Sequence, residues 1–310
     1  MKPAAPCLLI NYARPEKTAA ALANLRWADP LYLFCDGPRT NGIREKNQEV
    51  RSQLELEAVA REKAGLKTKT LFLDANRGPK HGPLTAIRWF FENEPAGHVI
   101  EDDILVCPEF AEFHTEALAA HKESGWLWIA EGHPLPDCPH RIIGTKMARL
   151  VAWSSWAEKV LPALDAIEKK PSPWKRAGCS LTKGLHPKTQ IFLWKEFGKL
   201  ERNPNWSWHY PLLQYQLEMG LLGGTPSARL HHNTGVDGSG YNCINLFGEE
   251  EKWAEENTRT ALRKTSVGAH APSEKKMEVE RYGRIHQAIG RKLFRLTPRK
   301  WRRIWKPVLA

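Results

Sequence analysis

The chain has 310 residues, of which 42% are hydrophobic and 26% charged, so it can bury a large core and does not resemble a disordered chain. No segment reaches the roughly 18 consecutive apolar residues of a membrane-spanning helix, which argues against integral insertion. The formal net charge is +11, but residues 281–310 alone carry seven arginines and three lysines with no acidic residue. The excess positive charge therefore belongs to the C-terminal tail.

The cysteines are widely spaced, without a CxxC pair or a His/Cys cluster at zinc-site spacing. This pattern favours a reducing compartment, and we expect a cytoplasmic protein. The six residues are Cys7, Cys35, Cys107, Cys138, Cys179 and Cys243.

Residues 5–130 repeat a short β-rich run, a turn and a stretch with apolar residues at helical spacing. This alternation predicts an α/β fold with a mainly parallel sheet, flanked by helices, whose ligand crevice lies at the carboxyl ends of the strands. The predicted strands are 7–11, 31–35, 68–73, 98–100 and 126–130. The predicted helices are 15–25, 48–63, 81–91 and 108–121, with Pro15 and Pro108 in first-turn positions, followed by helices around 153–169 and 212–219.

Polar residues that directly follow the predicted strands are the candidates for a ligand site. Neither a GxGxxG loop nor a GxxxxGK[ST] loop occurs, which argues against Rossmann dinucleotide binding and P-loop chemistry. The candidates are Asn11, Arg14, Asp36, Gly37, Asp74, Asn76 and the triplet Glu101, Asp102 and Asp103.

The acidic triplet at 101–103 suggests a cation site. Three consecutive carboxylates at the end of a buried strand repel one another, and a bound cation relieves that repulsion. Mn²⁺ or Mg²⁺ prefers carboxylate oxygens and bridges to substrate phosphates. The alternative is a solvated acidic turn that stabilises the start of the next helix.

Several motifs in the same order resemble bacterial nucleotide-diphospho-sugar transferases of GT-A fold, related to N-acetylglucosaminyltransferase I. The resemblance covers roughly residues 5–245. The motifs are N-x-x-R-P at 11–15, D-G-P-R at 36–39, N-x-G at 76–78, W-F-F at 89–91, E-D-D at 101–103 and P-x-F at 108–110.

This resemblance implies a Rossmann-like, GT-A-like domain over residues 1–245 that binds a nucleotide-diphosphate sugar with Mn²⁺ or Mg²⁺. It implies that Arg14 faces the nucleotide, that Asp36 contacts the base and that Asp103 is the metal ligand. The other implied donor-binding residues are Asn11, Gly37, Asn76, Gly78, Glu101 and Asp102. Asp36-Gly37 could instead be a tight turn, and Arg14 a surface charge.

The second half of the chain departs from the family pattern. Residues 151–156 resemble a G-W-x-x-W helix, and residues 206–210 resemble a W-D-Y segment in which His209 replaces the aspartate. Histidine can accept a proton, so His209 is the leading candidate for the base that activates the acceptor, unless it packs or binds the acceptor. Asp137, Glu131 and Asp237 are alternative bases.

A glycine-rich loop at 237–240 leads to Asn242, where relatives carry a histidine. It could close over the donor and the metal, or could be a plain connection.

Residues 246–310 predict a charged helical extension, with surface helices over 249–290 and a basic amphipathic helix at the end. In that last helix Trp301 and Trp305 fall on one face, and Arg302 and Arg303 point elsewhere. This arrangement suits an anionic membrane surface, which predicts peripheral association with the inner face of the cytoplasmic membrane. Docking on the protein itself is the alternative, and no motif predicts nucleic-acid binding.

Together these features predict a metal-dependent glycosyltransferase that acts on a glycan or lipid-linked acceptor. The resemblance further implies inversion at the anomeric carbon and a role in bacterial surface polysaccharide or lipopolysaccharide synthesis. Two other functions remain open: a metal-dependent phosphohydrolase, and a non-catalytic nucleotide-sugar-binding protein in which His209 and Asn242 mark lost chemistry.

Overall fold

The computed structural model describes residues 5–130, 141–147, 150–169, 182, 185, 187–237 and 267–269. Within that part of the chain, short strands and helices alternate up to residue 130. The strands are β1 (Cys7–Asn11), β2 (Leu31–Cys35), β3 (Thr68–Phe72), β4 (Ala96–Glu101), β5 (Ile104–Val106), β6 (Trp126–Ala130), β7 (Ile142–Thr145), β8 (Ala152–Trp156), β9 (Leu222–Pro226), β10 (His231–Asn233) and β11 (Val267–Ala269). The helices are α1 (Pro15–Asn24), α2 (Asn41–Lys63), α3 (Gly78–Asn93), α4 (Phe110–His121), α5 (Ala157–Lys169), α6 (Pro187–Arg202) and α7 (His209–Glu218).

Nine strands form one sheet in the order β11-β7-β9-β6-β8-β4-β1-β2-β3. The four strands β4, β1, β2 and β3 are parallel, as the alternation of strands and helices predicts. The sheet is mixed farther along, because β8 runs antiparallel to both β4 and β6, and β7 runs antiparallel to β9. The predicted fold class, a mainly parallel α/β sheet flanked by helices, is confirmed.

The sheet is covered on both faces because its central strands are apolar on both sides. Leu8 and Leu9 of β1 are adjacent in sequence and fully buried, but they belong to different clusters on opposite faces. Helices α1, α2 and α4 contribute to the cluster around Leu9, and α3, α5 and α7 contribute to the cluster around Leu8. Alternation with a period of two residues places successive strand side chains on opposite faces.

The helices and strands up to residue 130 agree with the sequence prediction to within a few residues, apart from the start of α2 and from β5, which is not among the predicted strands. Pro15 is the first residue of α1, as predicted, where its missing N–H is no loss. Pro108 does not start a helix, however. Helix α4 begins at Phe110, and Glu109 is its N-cap, so the first-turn position predicted for Pro108 is wrong.

The prediction of helix over residues 151–156 is also wrong. Residues 152–156 form β8, in which every side chain is buried, between β4 and β6. The three-residue spacing of Trp153 and Trp156 is typical of a helix. A strand in the middle of a covered sheet is buried on both faces, however, so its apolar residues need not alternate with polar ones. Helix α5 begins only at Ala157.

Residues 267–269 form β11, which pairs in parallel with β7. The predicted surface helix is therefore wrong for these three residues. The rest of the predicted 246–310 extension, with the amphipathic tail, lies outside the described residues. None of the described helices is both long enough and apolar enough to cross a membrane.

The order of strands around β1 determines where a ligand crevice can form. From β1 the chain moves through β2 to β3 at one edge of the sheet, and β4 then returns to the other side of β1. Connections leave β1 and β4 in opposite directions, which opens a crevice at their carboxyl ends. The site candidates on the loops after β1 and β4 lie at this crevice.

Candidate functional site

An arginine and two aspartates meet at the crevice between β1 and β4. Arg14 follows β1, and its Nη1 donates to Asp103 Oδ2 at 2.7 Å, while its Nη2 contacts Asp102 Oδ1. The side chain of Asp102 is 1% exposed and that of Asp103 is 9% exposed, whereas that of Arg14 is 20% exposed. The register explains the meeting, because Ile10 of β1 pairs with Glu101 of β4 and the loops diverge from there.

Burial and mutual repulsion control the charge of this cluster. Burial raises the pKa of Asp102 to about 6, against the lowering effect of the Arg14 charge. Burial also disfavours the charged form of Arg14, but the carboxylates of Asp102 and Asp103 outweigh it and raise the pKa of Arg14. Arg14 therefore stays a cation and holds two carboxylates that would otherwise repel each other.

Glu101, the last residue of β4, is held by a tryptophan. The indole Nε1 of Trp208 donates to Glu101 Oε1 at 2.7 Å, and the Trp208 ring stacks on Trp153 at 6.2 Å between centroids. Burial, with the Asp103 charge adding to it, raises the pKa of Glu101 to about 7. A carboxyl group with such a pKa can exchange a proton near neutral pH.

The segment that follows β9 covers Asp103. Strand β10 pairs with β5, and the next residue, Thr234, donates its N–H to the Asp103 carbonyl at 2.8 Å and its hydroxyl at 2.9 Å. Lys17 of α1 donates to the Thr234 carbonyl at 2.6 Å. Gly235 lies so close to Asp103 that a Cβ at this position would overlap Oδ2 of the carboxylate. The glycine is therefore required by the approach of backbone to carboxylate.

Asp36 lies at the end of β2, and its carboxylate is engaged by backbone amides. Oδ1 accepts the N–H groups of Gly37 and Arg77 at 2.9 Å each, and Oδ2 accepts the N–H of Gly78 at 3.1 Å. The side-chain amide of Asn76 also donates to Oδ2 at 3.0 Å. Burial raises the pKa of Asp36 despite these bonds. The carboxylate thus ties the end of β2 to the start of α3.

Two further predicted donor-binding residues, Asn11 and Gly78, have structural roles. Asn11 donates its amide to the carbonyls of Leu9 and Phe34, at 3.2 and 3.0 Å. Gly78 has a φ of +77°, in the left-handed region that favours glycine. Asn205 packs against it and accepts the N–H of Lys80 at 3.1 Å.

Gly37 lies against the backbone of Ala75 so closely that a Cβ would not fit. Asn11, Arg14, Glu101, Asp102 and Asp103 therefore gather at the β1–β4 crevice, and Asp36, Gly37, Asn76 and Gly78 gather at the start of α3. Their roles in donor binding stay predictions.

His209 is the first residue of α7 and directly follows Trp208, the hydrogen-bond donor to Glu101. Its Nδ1 lies 3.0 Å from the Ser207 hydroxyl, and its ring lies 3.9 Å from the Tyr210 ring. Asp237 is the last residue of the short 3-10 helix that starts at Thr234, and its side chain lies outside the described part of the structure. Asp137 and Glu131 lie outside the described residues.

The donor set suits a divalent cation in chemistry, but Arg14 already neutralises part of it. Carboxylate oxygens of Asp102 and Asp103 are the ligands that Mg²⁺ and Mn²⁺ prefer. Asp102 Oδ2 is buried, and no described residue gives it a hydrogen bond. Among the described residues, however, no three His, Cys, Asp or Glu side chains are grouped so as to hold a metal. A cation at this site would have two carboxylates at hand and would need waters or phosphates for its other positions.

Sequence reasoning missed Trp208, Thr234 and Asn205. The segments that contain Trp208 and Thr234 are visible as motifs, but the residue that makes the contact in each is set by the tertiary structure. Asn205, a single amide in a loop, gives no signal in the sequence.

The fold and the crevice define a Rossmann-like α/β protein. Its charged cluster lies at the switch point of the sheet, where the connections from β1 and β4 leave in opposite directions. No family model matches the chain, and no curated protein matches it by sequence.

Solved structures that match it include a glucose-1-phosphate thymidylyltransferase from Bacillus anthracis (9% identity, TM-score 0.39, covering 85% of this chain and 97% of that one). An apo UDP-glucose pyrophosphorylase also matches (8% identity, TM-score 0.38, covering 83% and 97%). A third match is a 4-diphosphocytidyl-2C-methyl-D-erythritol synthase from Anaerococcus prevotii (7% identity, TM-score 0.30, covering 54% and 78%). None of the three is an N-acetylglucosaminyltransferase, and the TM-scores are too low to carry an argument about function.

Proposed function

We propose that the protein is a glycosyltransferase that moves a sugar from a nucleotide-diphosphate donor to a glycan or lipid-linked acceptor. The observation that carries the proposal is the meeting of Arg14 with Asp102 and Asp103 at the switch point between β1 and β4. Ligands of open α/β sheets bind at such a crevice. A guanidinium suits a diphosphate, and adjacent carboxylates suit the divalent cation that accompanies one.

Residues of this chain have distinct roles in the proposed reaction. Asp102 and Asp103 would hold Mn²⁺ or Mg²⁺, which as a Lewis acid neutralises charge on the leaving diphosphate. Arg14 binds the diphosphate oxygens, and Trp208 fixes the carboxyl group of Glu101 beside the site. Thr234 and Gly235 cover Asp103 and limit the access of water.

His209 is the proposed base for the acceptor hydroxyl. It follows Trp208 directly, so its backbone is held next to the group that binds Glu101, and the Ser207 contact orients its ring. His209→Ala should lower transfer by roughly 10²-fold or more and leave the Kd of the donor nucleotide unchanged, since general base catalysis typically contributes 10²–10⁴-fold. Ser207→Ala is the matched control and should cost less, because it removes only the orienting partner. Near-normal turnover of His209→Ala would remove this residue from the mechanism.

The resemblance in the sequence further suggests inversion at the anomeric carbon and a bacterial surface glycan as product. Attachment to an anionic membrane through residues 281–310 belongs to the same proposal. Deletion of residues 290–310 should then release the protein from anionic vesicles. Unchanged vesicle binding would remove the membrane from the proposal.

Calorimetry with UDP, GDP, CDP and dTDP, each with and without Mn²⁺, tests the donor site. We expect one nucleotide to bind the wild type in a Mn²⁺-dependent way, and Asp103→Asn to lose that dependence. Glu45→Gln is the matched control, because Glu45 is an exposed carboxylate on α2 and is not one of the predicted site residues.

Transfer is then measured as release of that nucleotide from its sugar conjugate with candidate acceptors. Absence of binding by all four nucleotides would refute the proposal. Pyrophosphate release from a nucleoside triphosphate and a sugar phosphate would replace it with nucleotidyl transfer.

A further inference from the structure

We propose that Arg14 and a divalent cation compete for the carboxylates of Asp102 and Asp103, so that binding of the cation frees the guanidinium to bind the donor diphosphate. This inference rests on the proposed function and assigns Arg14 two successive sets of partners. In the first set Arg14 neutralises the site in the absence of the cation. In the second it binds the anion that the cation brings.

The geometry of the ion pair makes a cation compete with Arg14 for the two carboxylate oxygens that the guanidinium contacts. Both terminal nitrogens of Arg14 are used, one on each aspartate, and Nη1 lies 2.7 Å from Asp103 Oδ2. If Mg²⁺ took Asp102 Oδ1 and Asp103 Oδ2 as ligands, it would lie about 2.0–2.1 Å from them. The ion and the guanidinium would then be in contact with like charge, so one of them must leave.

Arg14 by itself leaves the acceptors at this crevice incompletely satisfied. Asp102 Oδ2 is buried and has no hydrogen-bond donor among the described residues. Asn11 Oδ1, at the end of the neighbouring strand, is likewise buried without a donor in the described part of the chain. The Asn11 amide cannot be turned round to avoid this, because its Nδ2 donates to two carbonyls.

A buried acceptor without a partner is costly, and a cation with its bound waters would supply what Asp102 Oδ2 lacks. The charge balance points the same way. One guanidinium faces the carboxylates of Glu101, Asp102 and Asp103, and therefore offsets only part of their charge when they are ionised. A divalent cation would offset more of it than Arg14 does.

Release of Arg14 requires movement of its side chain only. Its backbone carbonyl accepts the N–H of Thr18 at 2.9 Å as the N-cap of α1, and this bond does not involve the guanidinium. The side chain is 20% exposed, so it borders solvent at the crevice where the diphosphate is expected. A freed guanidinium remains within the length of one side chain of both aspartates.

The first test measures Mn²⁺ affinity without nucleotide, from the electron paramagnetic resonance signal of free Mn²⁺, on the full-length protein. Arg14→Met should bind Mn²⁺ about tenfold more tightly than the wild type, because it removes the competing cation and its repulsion. Arg77→Met is the matched control, since it removes an exposed positive charge from the same edge of the sheet, and should change the Kd less than twofold. Unchanged or weaker Mn²⁺ binding by a folded Arg14→Met would overturn the competition.

A second test needs no variant and covers the case in which Arg14→Met does not fold. Phenylglyoxal modifies accessible arginines, and the extent at Arg14 can be read by peptide mass spectrometry of the wild type. Mn²⁺ should increase the rate at Arg14 several-fold, and further addition of the binding nucleotide diphosphate should lower it again. A rate at Arg14 that does not rise with Mn²⁺ would overturn the proposal.

The two proposals fail in different ways. Competition is measured without nucleotide, whereas the glycosyltransferase proposal depends on nucleotide binding and transfer. If Mn²⁺ binds more tightly to Arg14→Met but no nucleotide binds, the result supports the competition and refutes the proposed function. If nucleotide binds and transfer occurs, but wild type and Arg14→Met bind Mn²⁺ with the same affinity, the result supports the proposed function and refutes the competition.

Discussion

Replacement of Asp36 by alanine should destabilise the protein, because this carboxylate joins two parts of the fold. It accepts three backbone N–H groups, those of Gly37, Arg77 and Gly78, and the side-chain amide of Asn76. Loss of a carboxylate that accepts N–H groups at a helix start should cost about as much as loss of an N-cap side chain, about 0.5–2 kcal/mol. Leaving a buried donor unsatisfied costs about 1–3 kcal/mol.

The net effect of Asp36→Ala should be smaller than the sum of these costs. Burial raises the pKa of Asp36, which means that keeping this carboxylate ionised costs the folded protein free energy. The alanine variant does not have that cost. Water can also reach part of the loop. We therefore expect the free energy of unfolding to fall by about 2 kcal/mol.

Urea unfolding followed by tryptophan fluorescence and by circular dichroism measures this change. Asp74→Ala is the control, since Asp74 is exposed on the next loop and should stay within about 0.5 kcal/mol of the wild type. A loss below about 0.5 kcal/mol for Asp36→Ala would refute the role of this carboxylate in joining the end of β2 to the start of α3. It would favour the role that the resemblance predicts, contact with the nucleobase, which nucleotide binding by Asp36→Asn would then test.

Three further changes test other contacts. Trp208→Phe keeps a ring on the stack but loses the N–H bond to Glu101, and should lower the free energy of unfolding by about 1.5–3 kcal/mol in urea at pH 8, where Glu101 is mostly ionised. Gly235→Ala places a Cβ against the Asp103 carboxylate and should cost about 1–3 kcal/mol and weaken Mn²⁺ binding, measured by urea unfolding and calorimetry. Burial, with a smaller effect of a neighbouring histidine, lowers the pKa of His98 to about 3, from 6.5. The stability that neutral His98 provides is present above pH 6.5 and is lost as the pH falls towards 3, at up to about 1.4 kcal/mol per pH unit, so His98→Asn should flatten this part of the stability curve.

The Trp208 and Gly235 variants each have a matched control in the same protein. Trp153→Phe loses similar volume, but its indole N–H has no acceptor among the described residues, so an equal loss for Trp153→Phe and Trp208→Phe would deny the hydrogen bond a role. Gly42→Ala adds a methyl where nothing lies within 4 Å and should be neutral or stabilising. A neutral Gly235→Ala would mean that Asp103 is not packed as described. An unchanged pH dependence in His98→Asn would mean that another group controls acid sensitivity.

Apart from β5 and the start of α2, the strands and helices up to residue 130 could be predicted because their signals are local. Strand β2 is a continuous apolar run, fully buried, and α1 begins at a proline as its sequence suggests. The acidic triplet could be placed at a strand end for the same reason. Residues 152–156 could not be assigned in this way, because their state depends on pairing with two strands that are distant in sequence.

By itself the sequence determined the alternation of strands and helices and the residue types that follow the early strands, since both depend on neighbours along the chain. Only the tertiary structure decided which of those residues meet. Arg14 reaches Asp103 across 89 residues, and Trp208 reaches Glu101 across 107. Such contacts are set by the order of strands in the sheet, which brings the ends of β1 and β4 together and is not encoded in any local pattern.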